Sequence, residues 1–302
     1  MDEADWVSVH VFYQGDLDLP LIGAVRPLVE ETRAAALARG FFFLRHWDGG
    51  PHLRVRLLAA GEEARDPLRR RLVERCERYL RDHPSATRLD PAAYAAQARR
   101  LAPWEGMSDY AREPYPNNSI RCTPYRREHD RYGRGASMEA VEGHFVDSSR
   151  IALALLAADA TPDRRHSAAF TMTLLACRVD GGFAGASSPL SGPAAGTGAA
   201  VADFAGRYRR QRRRLLSLAG TALERATDPS GVPGVLGAWL RSIGRLRAEL
   251  AAAPPPAGVA AVIDACVHLL CNRIGLSLDE ERYVRYLVAR TIADLDAAGG
   301  AR

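Results

Sequence analysis

The sequence predicts an α+β fold: an antiparallel or mixed sheet from the N-terminal half packs with a largely helical C-terminal half. Three observations point to it. Runs rich in β-branched and aromatic residues, WVSVHVFY at 6–13, FFFLRHW at 41–47 and HLRVRLL at 52–58, fall in the first half, and DGGP joins the last two as a hairpin signal. From residue 137 onward the apolar residues recur at helical spacing. Strands and helices do not alternate, which argues against a chain of βαβ units.

Taken in order, WVSVHVFY is a strand closed by the turn signal QGDLD. Residues 24–39 carry helix formers; Pro27 limits where that helix can begin, and Gly40 stands where a C-terminal cap would. After the hairpin, residues 62–82 place Leu68, Leu72, Val73, Cys76 and Leu80 on one helical face, with Arg and Glu opposite. Residues 91–101 predict another helix. An irregular stretch rich in Pro, Gly and Asn follows, of the kind that carries function, and then a short strand at 119–123. Helices are predicted at 137–158, 164–178, 201–226, 234–252, 259–274 and 279–297. The Gly-, Ala-, Ser- and Pro-rich segments at 180–200 and 253–258 read as mobile connections. The whole of 1–302 reads as a single domain without internal repeats.

Composition excludes several functions. At 302 residues and 47% hydrophobic content the chain can bury a substantial core. All 41 basic residues are Arg, which looks like codon bias from a GC-rich genome, so Arg abundance says little about function. A net charge of +5 is mild, and direct nucleic-acid binding is not expected. The densest basic run, RYRRQRRRLL at 207–216, spreads its arginines almost all round a helix and reads as a solvated face with snorkelling stems. Cys76, Cys122, Cys177, Cys266 and Cys271 lack CxxC pairing and are odd in number, which fits a reduced cytoplasm better than a disulfide framework or a zinc site. The acidic N-terminus and the lack of an uncharged apolar run of about 18 residues speak against secretion and membrane spanning.

Three stretches could carry chemistry. On the second hairpin strand, period two puts His52, Arg54 and Arg56 on one face, with Arg45 on the neighbouring strand as a candidate to join them. Two readings stay open: a basic outer face of a half-exposed sheet, or an anion site, in which each charge-assisted bond to a carboxylate contributes about 1.5–3 kcal/mol. In PYRREHDRYGRG, residues 124–135, Glu128, Asp130 and Arg131 could form surface ion pairs worth little, whereas a buried Tyr125 and an Arg beside the hairpin would complete an anion pocket. The helix that follows turns Phe145, Ile151 and Leu155 inward. In ACVHLLCNRIG, residues 265–275, His268 and Asn272 are i, i+4, so the Asn could orient the imidazole; a satisfied core histidine is the plainer reading. No phosphate-binding loop, GxGxxG, HExxH or nucleophile elbow is present.

FFFLRHWDGGPHLRVRL, YRREHDRYGRGASMEAVEGHFVDSSRIALALL and VHLLCNRIG, in that order, resemble the C-terminal elimination domain of lanthipeptide dehydratases and their stand-alone relatives in thiopeptide biosynthesis. The resemblance touches almost the whole chain. It implies a lyase that removes glutamate from a glutamylated Ser or Thr of a ribosomally made precursor peptide, giving dehydroalanine or dehydrobutyrine. The partner would be a tRNA-dependent glutamylating subunit. Carried onto this sequence, Arg54 and Arg56 match the PHLRLR arginines, Arg131 the arginine before YGG, and His268 the first His of HMHxNR. The resemblance assigns the three arginines to glutamate binding and leaving-group stabilisation and His268 to acid/base work. Arg45, His52, Tyr125, Glu128, Asn272 and Arg273 stand around them as substrate-binding candidates. No metal or organic cofactor is implied, and homodimerisation stays open. RYGRG in place of RYGG, Asp130 where Glu is common, the missing second His, and a longer segment before Tyr125 depart from the pattern. The longer segment is similar to stand-alone members, which include enzymes joining two dehydroalanines by a formal [4+2] cycloaddition; a non-catalytic peptide- or partner-binding subunit is a third reading.

Overall fold

Alternating apolar and polar residues in four segments build one antiparallel sheet. The strands are β1 (Trp6–Phe12), β2 (Ala38–His46), β3 (His52–Ala59) and β4 (Ser119–Cys122), in the order β2-β3-β1-β4. The computed structural model describes residues 5–103, 105–158, 161–178, 198–228 and 230–299. The chain divides into two compact units, Met1–Arg127 and Glu128–Arg302.

In the first unit the register sorts side chains between the two faces of the sheet. Val9 pairs with Val55, Val11 with Leu53 and Phe43 with Val55, so one face is aliphatic and aromatic throughout, and all of these are buried. The sheet is contacted by α2 (Arg26–Ala34) and α3 (Arg65–Asp82), whose Leu28, Leu68, Leu72 and Cys76 are also buried. The apolar stripe predicted for 62–82 thus holds, with Val73 half-buried at its margin. A short helix α1 (Asp18–Pro20) and a π-turn at Leu21–Val25 lead into α2, and α4 (Pro91–Leu101) is capped by Asp90.

The expected cap at Gly40 is corrected. The helix ends at Ala34, Ala36 takes the left-handed conformation (φ 52°), and Leu37 donates its N–H to the Thr32 carbonyl at 2.9 Å. This closes the helix with the hydrogen bond of a Schellman-type end. Gly40 lies inside β2, beside the register irregularity between Ala38 and Gly40.

The second unit is helical: α5 (His129–Tyr132), α6 (Ala136–Ala157), α7 (Pro162–Arg178), α8 (Gly198–Ala226), α9 (Gly234–Ala252), α10 (Val259–Arg273) and α11 (Leu278–Gly299). Its core includes Met138, Val141, Phe145, Phe170, Leu174, Trp239, Ile243, Leu246, Val262 and Leu270. Trp239 satisfies its indole N–H on the Met172 carbonyl at 2.9 Å, so a large ring is buried without an orphan donor. On α6, Phe145, Ile151 and Leu156 are buried, while Leu155, expected inward, is half-buried. The predicted connection at 180–200 lies outside the described residues as far as 197. The α+β class stands.

Candidate functional site

Parity in the β ladder assembles the basic face. Arg54 of β3 pairs with His10 of β1 and Leu44 of β2; Arg56 pairs with Ser8 and Phe42; His52 pairs with Phe12 and His46. Arg121 of β4 lies opposite His10. One face of the sheet therefore carries three arginines and three histidines. Arg45 does not share it: the same register places Arg45 opposite Leu53 on the other face, where it forms an ion pair with Asp18.

The imidazoles are neutral spacers. His52 is almost wholly buried, stacks on His10 with centroids 4.9 Å apart, and leans on Phe12 at 4.5 Å. Its Nδ1 donates to the Gly50 carbonyl at 2.9 Å, which leaves Nε2 to accept from Arg54 Nε at 3.3 Å. Burial pushes His52 down to about 2 against the bond to Gly50, and burial with the charges of Arg54 and Arg56 pushes His10 down to about 3. His46 is also lowered, by burial and Arg54, although Glu105 opposes this. His46 Nδ1 lies 3.0 Å from Arg54 Nη2, and its Nε2 lies 3.2 Å from Glu105. Arg54 is thus held between two neutral rings that accept from it. Among the described residues no group of three or more His, Cys, Asp or Glu could hold a metal ion.

Arg56 occupies an aromatic box. Its guanidinium carbon stands 5.0 Å from the Phe42 ring centroid and 4.6 Å from that of Tyr125, and Trp6 meets both rings edge-on at 4.7 and 5.9 Å. A guanidinium set against two such rings, themselves nearly perpendicular at 78°, is partly desolvated. Tyr125 is buried, with its ring against Arg56 of the second hairpin strand. At one end of the face Arg121 lies 3.9 Å over Tyr115, whose N–H bonds the turn carbonyl of Gly49 at 2.8 Å.

The remaining candidates belong to the second unit. Arg131 sits on α5, exposed, 3.4 Å from the equally exposed Glu128 and near the Tyr132 ring. Arg273, at the end of α10, is fully buried: Nη1 donates to Ser148 Oγ at 3.1 Å and the guanidinium lies 5.2 Å from the Phe145 centroid. Asn272 is half-buried one position earlier and accepts the Gly275 N–H. His268 is partly exposed, and its Nδ1 is 2.7 Å from Glu281 Oε2 on α11. Burial favours the acid form of Glu281, but the hydrogen bond from His268 together with Arg285 outweighs it and holds the carboxyl below its usual range.

Sequence reasoning missed His10, His46, Arg121 and Glu281. The signal for His10 was its in-phase alternation within WVSVHVF; Glu281 gave none, because its contact depends on how α10 and α11 pack.

The chain matches the family described as lantibiotic biosynthesis dehydratase C-terminal over residues 6–292. Among curated proteins none matches. Among solved structures it is similar to a pyridine synthase, TbtD, from thiomuracin biosynthesis, at TM-score 0.74 and 24% identity, over 96% of this chain and 98% of that one. It is similar to TsrL at TM-score 0.64 and 18% identity, over 96% and 94% of the two chains. It is also similar to the tRNA-dependent lantibiotic dehydratase MibB from Microbispora sp. 107891, at TM-score 0.56 and 21% identity, over 97% of this chain and 28% of that one. At these identities the structural matches show a shared fold. Matched from the first strand almost to the end of the last helix, the chain belongs to the lantibiotic biosynthesis dehydratase C-terminal family.

Proposed function

We propose that this chain is the stand-alone glutamate-eliminating component of a split dehydratase, a lyase acting on glutamylated Ser or Thr of a ribosomally made precursor peptide. A tRNA-dependent glutamylating subunit would supply its substrate. The observation that carries the reading is the sheet face on which Arg54 and Arg56 are oriented between neutral imidazoles and aromatic rings. Glutamate esterified through its α-carboxyl brings one carboxylate to the enzyme and departs with two. Two fixed guanidinium groups suit both demands: they bind the first carboxylate and stabilise the second as the ester bond breaks. In the reaction a base takes the α-proton, the Cα–Cβ double bond forms and the Cβ–O bond breaks, releasing glutamate. Arg54, Arg56 and Arg131 hold the adduct and its leaving charge, and His268 does acid/base work.

The test measures glutamate release from a glutamylated peptide by Arg54→Ala, Arg56→Ala, Arg131→Ala and His268→Ala. Losses in all four support the assignment; release unaffected by the Arg54 and Arg56 changes would remove it.

A second reading has its own observation: similarity to a pyridine synthase over nearly the whole of both chains. A [4+2] cycloaddition enzyme joins dehydroalanines and has no glutamate to hold. An intact arginine face favours elimination over it.

A further inference from the structure

We propose that Glu281 is a positioning residue for His268, locking the imidazole with its proton on Nδ1 so that Nε2 is the nitrogen that exchanges a proton with the substrate. The proposal rests on the reading of His268 as the acid/base group. The geometry is that of a carboxylate–imidazole dyad: Glu281 Oε2 lies 2.7 Å from Nδ1, and Glu281 is almost fully buried while His268 is partly exposed. An ionised carboxylate accepts and cannot donate, so the nitrogen facing it must carry the proton. The other nitrogen then holds the lone pair.

Glu281 is itself fixed. Arg285 Nε donates to its second oxygen, Oε1, at 2.8 Å, and Arg285 Nη1 donates to Asp264 Oδ1 at 2.6 Å. Both partners raise the Arg285 guanidinium above its ordinary value against burial. The chain Asp264–Arg285–Glu281–His268 therefore runs from α10 to α11 and back, ending at the only one of its four side chains that is more than about one-tenth exposed. A network built solely to join two helices has no need to end on an imidazole. When His268 takes a proton on Nε2, the resulting imidazolium keeps its bond to Glu281, whose charge opposes that of the new cation; no further proton transfer is required.

The test combines one spectrum with one rate. In protein labelled with 15N-histidine, the neutral form of the His268 imidazole is expected as the Nδ1–H tautomer. Glu281→Gln keeps the shape but offers a donor as well as an acceptor, so the Nε2–H tautomer should appear. Elimination by this variant should fall about 10- to 100-fold in kcat with KM within about twofold, a part of the about 100- to 10,000-fold that a positioned acid/base group contributes. Glu281→Asp keeps the charge and should recover part of the loss.

Wild-type His268 in the Nε2–H form, or a folded Glu281→Gln protein with unchanged tautomer or unchanged kcat, overturns the proposal. His268→Ala distinguishes the two layers: full elimination in that variant removes the acid/base reading, while the tautomer measurement stands or falls independently of any activity.

Discussion

Arg56 shows what a single residue's surroundings add to its charge. Contact with the rings of both Phe42 and Tyr125 suits a broad, weakly hydrated guanidinium better than an ammonium, so Arg56→Lys should fail almost as fully as Arg56→Ala. Both should lower kcat/KM for the glutamylated peptide by about 10- to 100-fold, the equivalent of the roughly 1.5–3 kcal/mol of a charge-assisted hydrogen bond. Near-wild-type kinetics in the lysine variant would mean that charge alone suffices.

The depressed histidines make a second prediction at this scale. Burial pushes His10 and His52 down to about 3 and about 2, and it pushes His144, buried on α6 near Arg273 and Arg245, down to about 3, against 6.5 for the exposed side chain. Below pH 6.5 the unfolded chain therefore binds protons that the folded chain refuses, and stability is lost as pH falls towards 3. Each group contributes a slope of up to about 1.4 kcal/mol per pH unit. Between pH 6.5 and 4.5 most carboxylates stay ionised in both states, so the histidines dominate. Urea denaturation at pH 7 and pH 5 measures this, and His144→Asn, which keeps a donor towards Ser242, whose own hydroxyl proton goes to Asp147, should flatten the slope by one group's share. An unchanged slope would contradict the neutral burial of His144.

At the element scale the hairpin turn is the sharpest constraint. Gly49 has φ 77°, and a Cβ there would stand 2.1 Å from the Tyr115 ring. Gly49→Ala should cost at least about 1–2 kcal/mol from backbone conformation alone, with further loss as Tyr115 is displaced; a neutral effect on urea unfolding would show that the turn re-forms. Asp90, accepting from the Ala92 and Ala93 N–H groups at 3.1 and 3.3 Å, caps α4, and Asp90→Ala should cost about 1 kcal/mol.

The elements were largely legible, and where legibility failed the reason is physical. Helical periodicity located α3, α6, α9, α10 and α11 to within a few residues because each buries a continuous apolar stripe. The end of α2 was misread because Ala36, not the nearby Gly40, takes the left-handed position, and a glycine is a preference rather than a requirement there. Arg45 was misplaced although the register held the answer: with His46 opposite His52, parity sends Arg45 to the face of Leu53. The face of His52, Arg54 and Arg56 was readable from alternation. The His268–Glu281 contact was not, since it joins two helices whose packing no local pattern encodes.

For the molecule as a whole, family membership and the α+β fold are fixed by the match over residues 6–292 and by the sheet and helices themselves. Among the described residues no helix is long and apolar enough to cross a membrane. The relatives that share this fold differ in activity, a pyridine synthase and a tRNA-dependent dehydratase, so fold alone does not choose between chemistries. The choice rests on the arginine face of the first unit and on the dyad of the second. Intact-mass spectrometry after incubating the wild-type protein separately with a glutamylated precursor peptide and with its pre-dehydrated form tests this most directly. The account predicts loss of glutamate with its ester oxygen from the first and no change in the second; an unchanged glutamylated peptide, together with release of the leader from the dehydrated one, would contradict it and make the chain a cycloaddition enzyme.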